Sequence, residues 1–296
     1  MDLYVMRYVV SVAEYGNFSQ AAAACHVGQP ALSQQIARLE REIGVPLFYR
    51  NSRGAVPTEA GKEYVRRAKV ILALNNDLDA QMSAFAGFRR GTLTLGLITS
   101  LECIEFGDMM ASFMRNYPEI SFSIRQFGSY QLLDMLADHS IDMAFLNKPI
   151  ERQIPAAINF RKLGEDRYDL AVPYDHRLSG EKEVSIRDLK DERFIFHQPW
   201  QIASELVTRA CAEAGFAPDI ACRSGEPSIS INMVQGGMGV AVLPSEEFAK
   251  RKLNGVVHVR LRENIIKEVG MAWRKDSESP LIRTLVEFAG EWAREI

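Results

Sequence analysis

The chain has 296 residues, 47% of them hydrophobic and 25% charged, with a formal net charge of −3 at pH 7. That length predicts two or three cores joined by linkers, and the ordinary balance of apolar and charged residues excludes a disordered or low-complexity chain. The charge is uneven: residues 1–90 carry 11 Lys and Arg against 8 Asp and Glu, and the remainder 24 against 30, so the basic share sits where a polyanion would bind.

The opening Met1-Asp2-Leu3-Tyr4 reaches polar Ser11, Glu14 and Tyr15 too early for a signal peptide, and no stretch approaches the roughly 18 apolar residues of a membrane span. The expectation is a cytoplasmic protein without a membrane partner. Cys25, Cys103, Cys211 and Cys222 are scattered, and none forms a C-x-x-C pair, which predicts free thiols rather than a disulfide framework or a metal site.

Between residues 18 and 43 two helices are predicted, 19–25 and 30–43, joined by His26-Val27-Gly28-Gln29. Pro30 suits a first helical turn, and Gly44 with Pro46 beyond it marks the stop. Leu32, Ile36, Leu39 and Ile43 form one apolar stripe, predicted buried; Pro30, Ser33, Gln34, Ala37, Arg38 and Arg41 fall on the other side, offering hydroxyl, amide and guanidinium groups. That chemistry reads base edges and phosphates. Residues 47–50 and 53–57 then read as strand, turn and strand, a wing carrying Arg50 and Arg53 toward a phosphate backbone.

Thr58 is placed to cap a long helix running to about Phe88. Along it Gly61, Tyr64, Ala68, Ile71, Asn75, Leu78, Met82 and Phe85 alternate spacings of 3 and 4, a heptad seam that predicts pairing with a second helix. From Gly91 onward, strands alternate with helices in two sets, 92–146 and 168–243, predicting parallel sheets in two lobes. A last strand at 268–273 and a helix after Pro280 are expected to return to the first lobe.

Phe18-Ser19-Gln20-Ala21-Ala22, Gln29-Pro30-Ala31-Leu32-Ser33-Gln34-Gln35-Ile36, Leu39-Glu40, Gly44-Val45-Pro46-Leu47-Phe48, Arg50 and Thr58-Glu59-Ala60-Gly61 closely resemble the N-terminal signature of the LysR-type transcriptional regulators. Phe113, Tyr117-Pro118, Ile141-Asp142-Met143-Ala144 and the run from Gly236 to Pro244 are similar to that family's effector domain. The chain departs from the pattern at Cys25, where Leu is usual, and at Gly28, where Ser is common.

The resemblance implies an N-terminal all-α winged helix-turn-helix (1–58) with a long linker helix (59–88), followed by a C-terminal α/β two-lobed domain like the periplasmic binding proteins (91–296). Its lobes would span 91–161 with 267–296, and 162–266. It implies a bacterial regulator of transcription acting as a homodimer or homotetramer on double-stranded DNA with an interrupted palindromic operator, with RNA polymerase as a further partner. A small-molecule effector, an organic or inorganic anion, would bind between the lobes, with no cofactor and no metal. DNA-contacting positions are then Gln29, Pro30, Ser33, Gln34, Arg38, Arg50, Arg53 and Thr58. Effector-contacting positions are Thr99, Ser100, Ser129, Asn147, Ile202, Ala203 and Glu226. These last lie at strand ends and helix starts, where open α/β lobes bind ligands.

An enzyme is not expected. The five histidines form no H-x-x-x-H pair, there is no G-x-S-x-G elbow, and Gly236-Gly237-Met238-Gly239 leads into a strand rather than a helix. Two alternatives stand beside the main reading: a redox-sensing regulator using Cys211 and Cys222, and a cytoplasmic small-molecule-binding protein without operator specificity.

Overall fold

The structure is a computed structural model that describes residues 2–51, 54–85, 90–249 and 253–295. It comprises two compact units, Met1–Phe88 with Asp138–Ser140, and Arg89–Ala137 with Ile141–Ile296.

The first unit opens with a helix the sequence reading left out, α1 (Leu3–Tyr15), whose start is capped by the Asp2 carboxylate accepting from the Tyr4 N–H. Asn17 caps α2 (Phe18–Ala24) in the same way, and α3 (Gln29–Ile43) follows with Pro30 in its first turn and left-handed Gly44 at its end. Val9, Val12, Ala21, Leu32 and Ile36 close the core, joined by Leu47, Phe48 and Ala55. The expected stripe on α3 is shorter than its spacing suggests: Leu32, Ile36 and Leu39 are buried, but Ile43, one turn further on, is exposed because the core has ended there.

The wing is an antiparallel pair, β1 (Phe48–Asn51) and β2 (Gly54–Pro57). Glu40 of α3 anchors its start, accepting from the Leu47 and Phe48 N–H groups at 2.7 and 3.2 Å. The long helix α4 (Glu59–Phe85) packs its first turns, with Tyr64 and Val65, against this core. Gly61 is demanded by that approach, since a Cβ there would lie 2.0 Å from the Leu47 carbonyl oxygen. Farther along, Ile71, Leu78, Met82 and Phe85 of the seam are exposed, and Asn75 donates to Asp79 at 3.3 Å.

The second unit contains β3 (Gly91–Leu97), α5 (Phe106–Asn116), β4 (Ile120–Gln126), α6 (Ser129–Ala137) and β5 (Met143–Asn147). Then come β6 (Ile158–Pro173), β7 (Glu183–Val184), β8 (Arg193–His197), α7 (Ile202–Glu213), β9 (Asp219–Ser224), α8 (Pro227–Gln235), β10 (Ala241–Pro244) and α9 (Glu246–Ala249). It closes with β11 (Val256–Leu261), β12 (Ile266–Arg274) and α10 (Pro280–Glu295). One sheet runs β4-β3-β5-β12-β6-β11-β7, with β10 also paired to β6, and β8-β9 form a separate pair.

The expectation of parallel sheets is corrected here. β3 is parallel to β4 and β5, and β8 to β9, but β12 runs antiparallel to β5 and β6, and β6 runs antiparallel to β10 and β11. The cause is β6, 16 residues long, read from sequence only in its second half. Its first part pairs with β12 and its last part with β10 and β11, so it carries one sheet from the first half of the unit into the second. In that second half Leu170, Phe194, Phe196 and Val207 form one apolar cluster and Ala171, Ile195, Val234 and Leu243 another.

The packing of α3 and α4 yields a stability test. Leu32→Ala should cost the first unit about 2–5 kcal/mol, and Gly61→Ala should also destabilise it by forcing α4 off Leu47. Denaturant unfolding of both variants checks this; wild-type midpoints would contradict the packing described.

Candidate functional site

A cavity of about 500 Å³ opens in the second unit, within the range of small-molecule sites. Its walls are the segments following β3 and β4, the end of β5, and the starts of α6, α7 and α8. All seven residues expected to face an effector line it: Thr99, Ser100, Ser129, Asn147, Ile202, Ala203 and Glu226. The starts of three helices therefore face one space, with free first-turn N–H groups expected on α6 and α7, since in α8 Pro227 has no N–H and the Ser230 N–H is bonded to the Glu226 carbonyl.

Three contacts join the two sides of this cavity. The Gln201 amide donates to Thr99 Oγ1 at 3.3 Å and to the Gly225 carbonyl at 2.9 Å. Tyr130 donates its hydroxyl to Glu205 Oε2 at 2.9 Å. Gly128 lies so near Trp200 that a Cβ on it would be 2.7 Å from the Trp200 carbonyl oxygen.

The hydroxyls differ in what they have left to offer. Ser129 Oγ accepts from the Asn147 N–H at 3.1 Å and Thr99 Oγ1 accepts from Gln201, so each keeps its own proton to donate. Ser100 accepts from Lys267 Nζ at 3.0 Å and gives its proton to Glu102 Oε2 at 2.9 Å. It braces the floor rather than offering a donor to the cavity.

Sequence reasoning missed that floor. Lys267 on β12 lines the cavity while only 2% exposed, 3.7 Å from Asp166 Oδ2 on β6. The available signal was a lysine in strand register with apolar Val269 and Met271, the parity of an inward position. Tyr168 and His197 also contribute, with rings 5.8 Å apart and edge to face. His197 hydrogen-bonds through Nε2 to the Val242 carbonyl at 2.8 Å, and burial lowers its pKa to about 4, against which that bond pulls upward. It is a neutral ring at ordinary pH.

On the first unit, α3 presents Gln29, Pro30, Gln34 and Arg38 exposed and Ser33 half-buried, while Arg38 Nε donates to Glu42 Oε1 at 2.8 Å. Gly28 is the residue before α3 and supplies no side-chain cap, so the helix start stays open to an anion. Thr58 is corrected: it is buried, donating to the Pro46 carbonyl at 2.8 Å and accepting from the Gly61 N–H at 2.9 Å, which leaves no hydroxyl for DNA. Arg50 lies in β1; its side chain and the whole of Arg53 fall outside the described residues.

The cysteines offer no ready pair. Cys211 is fully buried in one apolar cluster, which pushes its thiol up to about 11, whereas Cys222 packs against the other, 3.6 Å from the Met233 sulfur. Among the described residues no group of His, Cys, Asp and Glu is arranged to hold a metal ion, and no helix is long and apolar enough to cross a membrane.

Residues 3–62 match the family model described as bacterial regulatory helix-turn-helix protein, lysR family, and residues 86–294 match the LysR substrate binding domain. The chain is 32% identical over 291 residues to the HTH-type transcriptional regulator BudR of Raoultella terrigena, covering 97% of this chain and 99% of that one. Among solved structures, a full-length OxyR variant from Pseudomonas aeruginosa superposes with a TM-score of 0.72 at 22% identity, over 99% of this chain and 95% of that one. Full-length CbnR complexed with its target DNA superposes with a TM-score of 0.70 at 22% identity, over 99% and 100%. At that identity the two structures establish the fold.

The buried His197 gives a pH dependence with a definite sign. Unfolded, it takes up a proton below about pH 6.5; folded, it does so only near 4. The unfolded state binds more protons in between, so stability is lost as pH falls through that window, by up to about 1.4 kcal/mol per pH unit from this residue. Thermal unfolding from about pH 7 to about pH 5 should show a shallower loss for His197→Gln than for wild type, and equal slopes would contradict a buried neutral ring.

Proposed function

The chain belongs to the LysR family of bacterial DNA-binding transcription regulators, and from that premise we propose that it is a sequence-specific regulator whose operator binding is set by a small carboxylate-containing effector held in the 500 Å³ cavity. The observation that carries this reading is the union of an outward helix face built for DNA with a cavity ringed by three helix N-termini in the same chain.

In this reading Ser33, Gln34 and Arg38 read base edges, with amide and guanidinium groups matched to purine acceptors and donors. Gln29, Pro30, Arg50 and Arg53 hold phosphates and groove walls, and the open start of α3 takes a phosphate. Arg38 leaves Glu42 to do so, a small cost for an exposed pair. The exposed seam of α4 pairs with its counterpart in a second copy, and a homotetramer places two such pairs on an interrupted palindrome, with RNA polymerase as the partner that reads the outcome. Thr99 and Ser129 donate to the effector, joined by the N–H groups of Ile202 and Ala203. The effector acts by preferring one arrangement of the assembly, since only differential affinity shifts an equilibrium. The protein works without catalysis and in the cytoplasm.

Titration of purified protein against the promoter of its own gene and a scrambled duplex at two salt concentrations tests this. Gln34→Ala should cost about 1–3 kcal/mol at particular base pairs, and Arg50→Ala should weaken all duplexes alike and reduce the salt slope by about 1. Equal, weak binding of wild type to both duplexes would sink the reading of α3, and identical behaviour of the two variants would overturn their division of labour.

A further inference from the structure

We propose that the effector is a zwitterion of the amino-acid type, a carboxylate that also carries an ammonium group, with an apolar side chain; this rests on the cavity being the effector site.

The charges around the cavity do not favour a simple anion. Among the described residues that line it, Lys267 and Glu226 are the charged ones. The ammonium of Lys267 faces Asp166 at 3.7 Å, and both side chains are about 1% exposed. That pair cancels and leaves Glu226 as the net charge of the wall. A sulfate or phosphate would bring two negative charges to a site whose cation is already matched. A net neutral ligand brings its carboxylate to the Thr99 and Ser129 hydroxyls and the helix starts without that repulsion.

The second observation is a surplus of acceptors. Asn147 Oδ1 is enclosed and has no hydrogen-bond partner. The Nε2 of His197 meets a carbonyl oxygen, which only accepts, so Nε2 carries the proton and the neutral ring leaves Nδ1 as an acceptor. Glu226 begins α8 yet makes no side-chain cap bond, so its carboxylate is not committed to the helix. Acceptors on residues that line one cavity, with the Glu226 carboxylate uncommitted among them, favour a ligand that carries N–H donors, which an ammonium has and a plain carboxylate lacks. Phe127, Trp200, Ile98 and Leu243 supply apolar wall for the rest of the molecule.

A matched set of three compounds on one carbon skeleton isolates this claim: L-phenylalanine, L-3-phenyllactate and 3-phenylpropanoate, titrated calorimetrically against the full chain. Phenylalanine should bind at least about tenfold more tightly than phenylpropanoate, with phenyllactate between them. Glu226→Gln and Asn147→Ala, each checked for a wild-type melting temperature, should each shrink that preference. Phenylpropanoate or phenyllactate binding as tightly as phenylalanine to wild type would overturn the zwitterion while leaving the cavity a carboxylate site. If none of the three bound at millimolar concentration, the reading of the cavity as the effector site would fall, and the proposal with it.

Discussion

Lys267 and Asp166 stand opposite each other across β12 and β6, buried, where one continuous sheet passes between the halves of the second unit. Each is tied to a different half: Lys267 donates to Ser100 after β3, and Asp166 accepts from Ser245 after β10 at 2.8 Å. An ion pair of this kind adds little net stability over apolar side chains, but loss of one partner strands a charge in the interior, at about 3–5 kcal/mol. It therefore fixes register. A slip of one residue between β6 and β12 would turn one of the two side chains to the opposite face and strand the other's charge, displacing the line along which the halves meet.

The cavity inherits its shape from that line. The contacts across it converge on one segment of the second half, Trp200 against Gly128, Gln201 on Thr99 and Glu205 on Tyr130. These residues flank the start of α7 and face the start of α6, so helix N-termini from both halves are held toward one space. A ligand bridging them meets donors fixed in advance, and little ordering entropy opposes its binding.

In the first unit, motif residues divide by what they touch. Glu40 holds the start of the wing, Thr58 joins the wing to α4, and Gly61 lets α4 close on Leu47. Their recurrence in a DNA-binding signature reflects construction. Gln29, Pro30, Gln34 and Arg38 stay exposed and outside the apolar core, with Arg38 held by Glu42. Sequence pattern alone does not separate the two groups, and Thr58 shows why: a hydroxyl at a helix start suits a cap and a phosphate equally well.

Local signals sufficed wherever a residue's role depends on its near neighbours. The order of α2, α3 and the wing, the stop at Gly44, and the long helix α4 were legible, because helix period, capping and turn chemistry act over a few residues. So were the strand ends and helix starts that supply Thr99, Ser129, Ile202 and Glu226, since α/β units place them by topology. What tertiary structure decided was the length of β6, the mixed sense of the sheet, the exposure of Ile43 and the burial of Thr58. It also decided that Lys267, Asp166 and His197 lie beneath the cavity. Each of these depends on which distant segment covers a residue, and the free energy of burying a charge or a polar ring is set by partners 45 to 167 residues away rather than by the sequence nearby.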